Sequence, residues 1–465
     1  MPTMKQKQVY RSDRQVERQT NILHMARTLA GRVGYDGLTM RELADLAGVS
    51  PKTLYNLFNS KDELLVAALQ DLVGIIRRSV RDHTHLDGFD YILAVRRSGS
   101  AAIARSPGFA NVIVSLVFRA KPNDQLVQSL VGGSRGEMVQ HIEHEQARGH
   151  VLPNVDPTIL SWHLFAQSWS TLLAWDKGLL GHDEIVAAEQ FGYLTTLLGV
   201  STPRRRRKLQ DQLLELNYSP TQTTVRPEQP RRTAVPPGDD TQRRRYRSER
   251  QLERRANILQ AVRSAITEAG YQGMTMRGLA DVAGVSPKTL YNIYGSKDEL
   301  LLAAVLDLLT GIDRSIPHDS DSSVLERMLV RQEPISKEIK RNPRYARAIT
   351  EALLQAKPGD RLVEVLLKIP VRTLDSQLRT EIPESWSSTA IAQLLATQPW
   401  AILMLWCKGV MGLEHAIQER RRSLLITLAA ITTGKKRSAW ASILQDMEWK
   451  SLPKATQANG SRRIV

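Results

Sequence analysis

Apolar residues recur at three- and four-residue spacing along most of this chain, while alternating β-branched runs bounded by turn residues are scarce. Ile22, Leu23, Ala26, Leu29 and Ala30 mark an opening helix, which Gly34-Tyr35-Asp36-Gly37 breaks. Thr39 stands as the cap of a second helix, with Glu42 three residues on in capping-box register. Leu43, Ala44 and Leu46 are expected to face inward, and Ala47-Gly48-Val49 to form a tight turn. Ser50 then caps a short third helix with Pro51 at its first position, where a missing N–H costs nothing. Leu54 and Leu57 are its expected core residues. Ser60-Lys61-Asp62-Glu63 is a second capping-box pattern and opens a long fourth helix. Further amphipathic helices are expected over 75–200 and 311–433.

The pattern occurs twice. AGVSPKTLYN fills 47–56 and again 283–292, at an offset of 236 residues. Between Tyr10/Tyr246 and Leu69/Val305, 38 of 60 positions are identical without a gap. The offset persists where 106–127 aligns with 342–363, and shifts to 231 where WSTLLAWDKGLLG (169–181) meets WAILMLWCKGVMG (400–412). Trp169/Trp400, Trp175/Trp406 and Lys177/Lys408 correspond, and the tryptophans read as core or interface packing rather than pocket lining. A unit of about 200 residues has been duplicated.

Charge narrows the partner. The formal net charge is +16, which points to a polyanion, either nucleic acid or an anionic membrane surface. No uncharged apolar run reaches the roughly 18 residues of a membrane span, and the N-terminus lacks the apolar stretch of a signal peptide, so the chain is expected to be cytoplasmic. Cys407 is the only cysteine, which excludes an intrachain disulfide and a cysteine-built zinc site.

A helix, a short glycine-containing turn and a second helix is the arrangement that lays one helix in the major groove. Lys52 can donate to guanine O6/N7, and Thr53 can bond a base edge or touch a thymine methyl. Tyr55 offers a hydroxyl or a ring face, Asn56 an amide for adenine, and Lys61 a cation at a helix start where phosphate is favoured. Lys288, Thr289, Tyr291, Asn292 and Lys297 repeat this set. Arg11, Arg14, Arg247 and Arg250 suit backbone contacts more weakly. A small bundle with a solvated basic face accounts poorly for these matches, because solvent-facing positions drift first after duplication.

TMRELADLAGVSPKTLYNLFNSKDELL (39–65) closely resembles the DNA-binding domain of tetracycline-repressor (TetR) family regulators. The resemblance implies an all-α protein of two tandem units, each an N-terminal helix-turn-helix domain and a C-terminal helical ligand-binding and dimerisation domain. It places DNA-contacting roles on Thr39, Lys52, Thr53, Tyr55, Asn56 and Lys61, and on Thr275, Lys288, Thr289, Tyr291, Asn292 and Lys297. It implies a transcriptional repressor released from its operator by a small molecule; the pocket residues and the effector stay unassigned, and no cofactor and no metal are expected. The family's usual unit is single, and here Glu42 becomes Gly278, which removes one capping box.

The expected domains are 10–70 and 244–306 for DNA binding, 71–203 and 307–434 for ligand binding and dimerisation, a basic Pro-rich linker over 204–243, and a basic tail over 435–465. Residues 217–242 lack apolar periodicity; as a flexible chain they reach roughly 30 Å, or at most roughly 90 Å extended. The expected action is that of an intrachain pseudo-dimer on an inverted-repeat operator, homodimerisation remaining open. The alternative is an architectural protein that coats or bridges DNA without an effector. An enzyme with a DNA-binding appendage is disfavoured, since no paired acids or phosphate loop recurs.

Three patterns read as incidental. Gly132-Gly133-Ser134-Arg135-Gly136 matches a hydrolase elbow but follows a helical stretch rather than a strand. His141, His144 and His150 with Glu143 and Glu145 resemble a metal set, yet the second copy lacks them. RRRRK at 204–208 reads as a solvated run with a possible phosphate contact.

Overall fold

The computed structural model describes residues 13–124, 127–128, 135–221, 241–316 and 322–447. Among them the protein is all-α, and the single β feature is an isolated antiparallel bridge between Val151 and Ser201. The chain divides into two compact units.

The first unit comprises residues 1–165, 182–216 and 445–465. Its DNA-reading module consists of α1 (Asp13–Gly37), α2 (Met40–Leu46), α3 (Pro51–Phe58) and α4 (Lys61–His83). The five opening apolar positions are all buried and share one core with Leu38, Met40, Leu43, Leu54, Phe58, Leu64 and Leu65. Each large side chain so buried is worth about 1.5–3 kcal/mol. Phe109, Val112 and Ile113 of α6 (Pro107–Arg119) belong to the same core, so the module rests directly on the helices behind it. Gly48, at φ 64°, supplies the left-handed residue that the turn between α2 and α3 requires.

Two inward assignments fail. Leu46 is 49% and Leu57 41% exposed. On α2 the buried stripe runs Met40, Leu43, Ala44, and on α3 it runs Leu54 to Phe58; both leucines lie one residue off that period. Each capping box is also half formed. Thr39 and Ser60 accept from the Glu42 and Glu63 amides at 3.1 Å, but the Glu42 carboxylate turns to Arg32 and that of Glu63 to Asn59.

Behind the module lie α5 (Gly88–Arg105), α6, α7 (Arg135–Ala147), the first part of α8 (Pro157–Asp176), α9 (Ile185–Val200) and α10 (Pro203–Leu216). Helix α10 corrects the expected linker start at 204. Leu209 and Leu213 bury one face, Arg205 pairs with Asp90 at 2.9 Å, and Arg206 donates to the Leu198 carbonyl at 2.9 Å. Arg205 and Arg206 of the RRRRK run therefore hold the unit together instead of being solvated. Residues 222–240 of the expected linker lie outside the described residues.

The histidines disperse to separate partners. His150 meets the buried Glu145 carboxylate at 2.8 Å, His144 meets Asp87 at 3.0 Å, and His141 accepts from the Gly88 amide while stacking on Tyr91. The elbow-like residues Gly132–Ser134 lie outside the described residues; Arg135 and Gly136 open α7.

The second unit comprises residues 166–181 and 217–444. Its module is built from α11 (Thr241–Gly273), α12 (Met276–Val282), α13 (Pro287–Tyr294) and α14 (Lys297–Ser315). Then follow α15 (Val324–Arg341), α16 (Pro343–Gln355), α17 (Arg361–Val363), a π turn at Glu364–Lys368, α18 (Ile369–Leu378), α19 (Ser388–Cys407) and α20 (Leu413–Ile431). The unit takes in Ala166–Gly181 from the first sequence repeat. There Ser170 and Thr397 hydroxyls meet at 2.7 Å, and Lys177 donates to the Leu354 and Ala356 carbonyls at 2.8 and 2.6 Å.

Helix α19 corrects the reading that nothing is long enough to span a membrane. It is uncharged over twenty residues and apolar enough by composition, but it is mostly buried within the protein. The expected tail begins with another helix, α21 (Gly434–Asp446), anchored by buried Trp440 and Leu444.

Candidate nucleic-acid interface

The two recognition helices are held alike. Ser50 and Ser286 accept from the Thr53 and Thr289 amides, both at 3.1 Å. Pro51 and Pro287 take the first helical position. Leu54 and Leu290, both fully buried, pin each helix to its module. That anchorage turns the other face outward: Lys52, Asn56, Lys288 and Asn292 are exposed, and Tyr55 and Tyr291 are 51% and 52% exposed. Thr53 and Thr289 are half-buried, their hydroxyls 2.9 and 2.8 Å from the capping serines, so they sit at the edge of the face. Exposed lysine, phenol and carboxamide groups on one short helix can donate to guanine, meet a thymine methyl and bridge an adenine edge.

Thr39 and Thr275 are exposed caps of α2 and α12, accepting from the Glu42 and Gly278 amides at 3.1 Å. Lys61 differs from its expected place. Its ammonium donates to the Tyr35 and Leu38 carbonyls at 2.9 and 3.3 Å and sits 4.0 Å over the Tyr35 ring. It ties the turn after α1 to the start of α4. Tyr35 completes this clamp by donating to Asp62 at 2.6 Å, and burial together with the Asp62 carboxylate pushes its phenol up to about 12. Sequence reasoning missed the clamp, although Tyr35, Lys61 and Asp62 recur as Tyr271, Lys297 and Asp298. It also missed Arg41 and Arg277, exposed on the first turns of α2 and α12 and identical in the two copies. Arg11 lies outside the described residues; Arg14, Arg247 and Arg250 fall on α1 and α11, and their side chains are likewise outside the description.

A further pair ties each module together. Arg27 meets Asp71 at 2.9 Å in the first unit, and Arg263 meets Asp307 at 2.8 Å in the second. The surface pair Arg32–Glu42 has no counterpart, because those positions carry Glu268 and Gly278.

The family model for bacterial regulatory proteins of the tetR family matches residues 22–68 and 258–304. Both modules are TetR-family DNA-binding domains. Among characterised proteins, the HTH-type transcriptional repressor KstR of Rhodococcus jostii is 28% identical over 160 residues, 32% of this chain and 76% of the relative. KstR of Mycobacterium tuberculosis is 32% identical over 111 residues, which cover 23% of this chain and 50% of that relative. A solved structure described as a TetR-family transcriptional regulator from Rhodococcus sp. is 19% identical, with a TM-score of 0.33 over 38% of this chain and 95% of that one. The chain is a tandem TetR-like DNA-binding transcriptional regulator.

Proposed function

We propose that the chain is a ligand-responsive cytoplasmic repressor in which one polypeptide supplies both readers of an inverted-repeat operator. The observation that carries the pseudo-dimer is the composition of the second unit, which incorporates residues 166–181 from the first sequence repeat and buries Lys177 there. Most TetR-like regulators obtain two modules by pairing two chains; here covalent duplication serves the same end. The identical outward residues on α3 and α13 favour two half-sites of nearly the same sequence.

In this reading Lys52, Tyr55 and Asn56, with Lys288, Tyr291 and Asn292, face base edges. Thr39, Thr53, Arg41 and the amides at the start of α4, with Thr275, Thr289, Arg277 and those of α14, meet phosphates. Lys61 and Lys297 contribute mainly by shaping the turn that presents those amides. The weaker backbone contacts fall to Arg11, Arg14, Arg247 and Arg250.

Light scattering after size exclusion, combined with footprinting of selected DNA, tests the proposal. The expected result is a single chain bound to one inverted repeat, with half-site centres one helical turn apart or somewhat more. A stable homodimer holding two duplexes favours the bridging alternative, and a direct repeat contradicts the two-fold arrangement.

A further inference from the structure

The two units differ most informatively where the first helix of the module meets the helices behind it. In the first unit α1 and α6 approach through glycines: a Cβ on Gly108 would lie 2.0 Å from the Gly31 carbonyl oxygen. The corresponding residues in the second unit are Arg344 and Thr267, to which that approach is closed. The second unit has a cleft of about 680 Å³ between α11, α14 and the junction of α15 with α16. This volume is within the range of small-molecule sites.

Tyr345 lines the cleft. The side chain is 2% exposed and its hydroxyl has no hydrogen-bond partner. A buried orphan donor is costly, and its position in the first unit is held by Phe109, which has none. The hydroxyl lies within the field of Arg263, Asp307 and Glu338, all of which line the same cleft. Two further lining positions differ: Glu338 stands where the first unit has Ala102, and Gly311 where it has Ile75. At Thr267, Glu338 and Tyr345 the second copy thus carries polar groups around the cavity where the first has Gly31, Ala102 and Phe109.

We propose that this cleft binds an uncharged polyhydroxylated molecule of monosaccharide size, with the Tyr345 hydroxyl as its buried anchor. Three carboxylates, Glu268, Asp307 and Glu338, face two guanidinium groups, Arg263 and Arg341. Arg263 is already paired with Asp307 at 2.8 Å, and Glu338 accepts from Asn342 at 2.6 Å. An anion meets more carboxylates than cations here, and no unpaired carboxylate cluster awaits a cation. A neutral polyol satisfies both sides, since each hydroxyl accepts from tyrosine or arginine and donates to a carboxylate. The cleft walls include α11 and α14, both part of the second module, so an occupant bears on that module's placement against α15 and α16. This deepens the ligand-responsive reading above and rests on it only for the effect on DNA.

The test is calorimetric titration of the full chain, without DNA, using glucose, ribose and myo-inositol, with gluconate and glucosamine as charged controls. The expected result is binding of at least one neutral probe at one site per chain. Tyr345→Phe, which installs the residue natural to the first unit, weakens that binding by about tenfold or more, and Phe109→Tyr leaves it unchanged. Absence of binding by every neutral probe, binding indifferent to Tyr345→Phe, or preference for a charged control overturns the site. Operator binding by ligand-free wild type and Tyr345→Phe is measured alongside. Loss of DNA binding in both contradicts the regulator reading without touching the calorimetric result.

Discussion

The Lys177 ammonium donates to the Leu354 carbonyl at 2.8 Å although the lysine is only 1% exposed. Leu354 stands at the end of α16, where carbonyls have no partner within the helix, and the Ala356 carbonyl joins the same cation at 2.6 Å. Asp176 completes the site at 2.8 Å. A cation at a helix C-terminus also complements the helix dipole. Burial lowers the Lys177 pKa, so its charge persists through these partners.

Replacing Lys177 by Met keeps the apolar stem and removes the charge. Two carbonyls and a carboxylate then lose their donor, at a cost of about 1.5–3 kcal/mol for a charged hydrogen-bonded group. Chemical denaturation should show the midpoint falling with little change in slope. A variant as stable as wild type would mean that water replaces the ammonium without cost.

Lys61→Met tests the clamp at the turn between α1 and α2. If the ammonium chiefly holds the Tyr35 and Leu38 carbonyls, stability falls by about 1 kcal/mol and DNA affinity follows the folded fraction. If it chiefly meets phosphate, stability is kept while the salt dependence of binding drops by about one unit of slope. Paired melting curves and salt titrations separate the two.

Much of the module was legible because its signals are local. Cap residues, a proline at the first helical position and the spacing of Leu43, Leu54 and Leu64 each act over a few residues. The misses need information from further away. Leu46 and Leu57 are exposed because the buried stripe is set by the neighbouring helices. Glu42 leaves Thr39 for Arg32, ten residues upstream, and Arg205 and Arg206 are buried by partners that include Asp90, more than a hundred residues before them. The cleft of the second unit depends on Thr267, Gly311, Glu338 and Tyr345 together, and no short window contains them.

His415 gives a pH dependence with a defined sign. It is buried, and burial lowers its pKa, with Glu419 opposing and Arg422 adding to the shift. The unfolded chain therefore binds this proton more readily than the folded one, so stability should fall as pH drops below about 6.5. One such group contributes at most about 1.4 kcal/mol per pH unit. His415→Gln should flatten the decline between pH 7 and about 5. Equal acid sensitivity in both proteins would place the titrating groups elsewhere.

The recognition helices offer the sharpest test, because two equivalent lysines stand in one chain. Lys52 and Lys288 are both exposed one residue after the helix-opening proline. A lysine that reads a base discriminates by roughly 1–3 kcal/mol, and its loss relaxes preference at one position of one half-site. A lysine that meets phosphate contributes equally to every sequence, and its loss lowers affinity uniformly and reduces the salt slope by about one. We expect base reading for at least one of the two. Lys52→Ala and Lys288→Ala should then each relax a single position, in opposite half-sites, and the double variant should lose roughly the sum if the sites are independent. Selection from randomised operators with wild type and both single variants measures this directly. Unchanged base preferences in both variants would reduce the lysines to backbone clamps and shift the burden of specificity to Tyr55, Asn56 and their counterparts Tyr291 and Asn292.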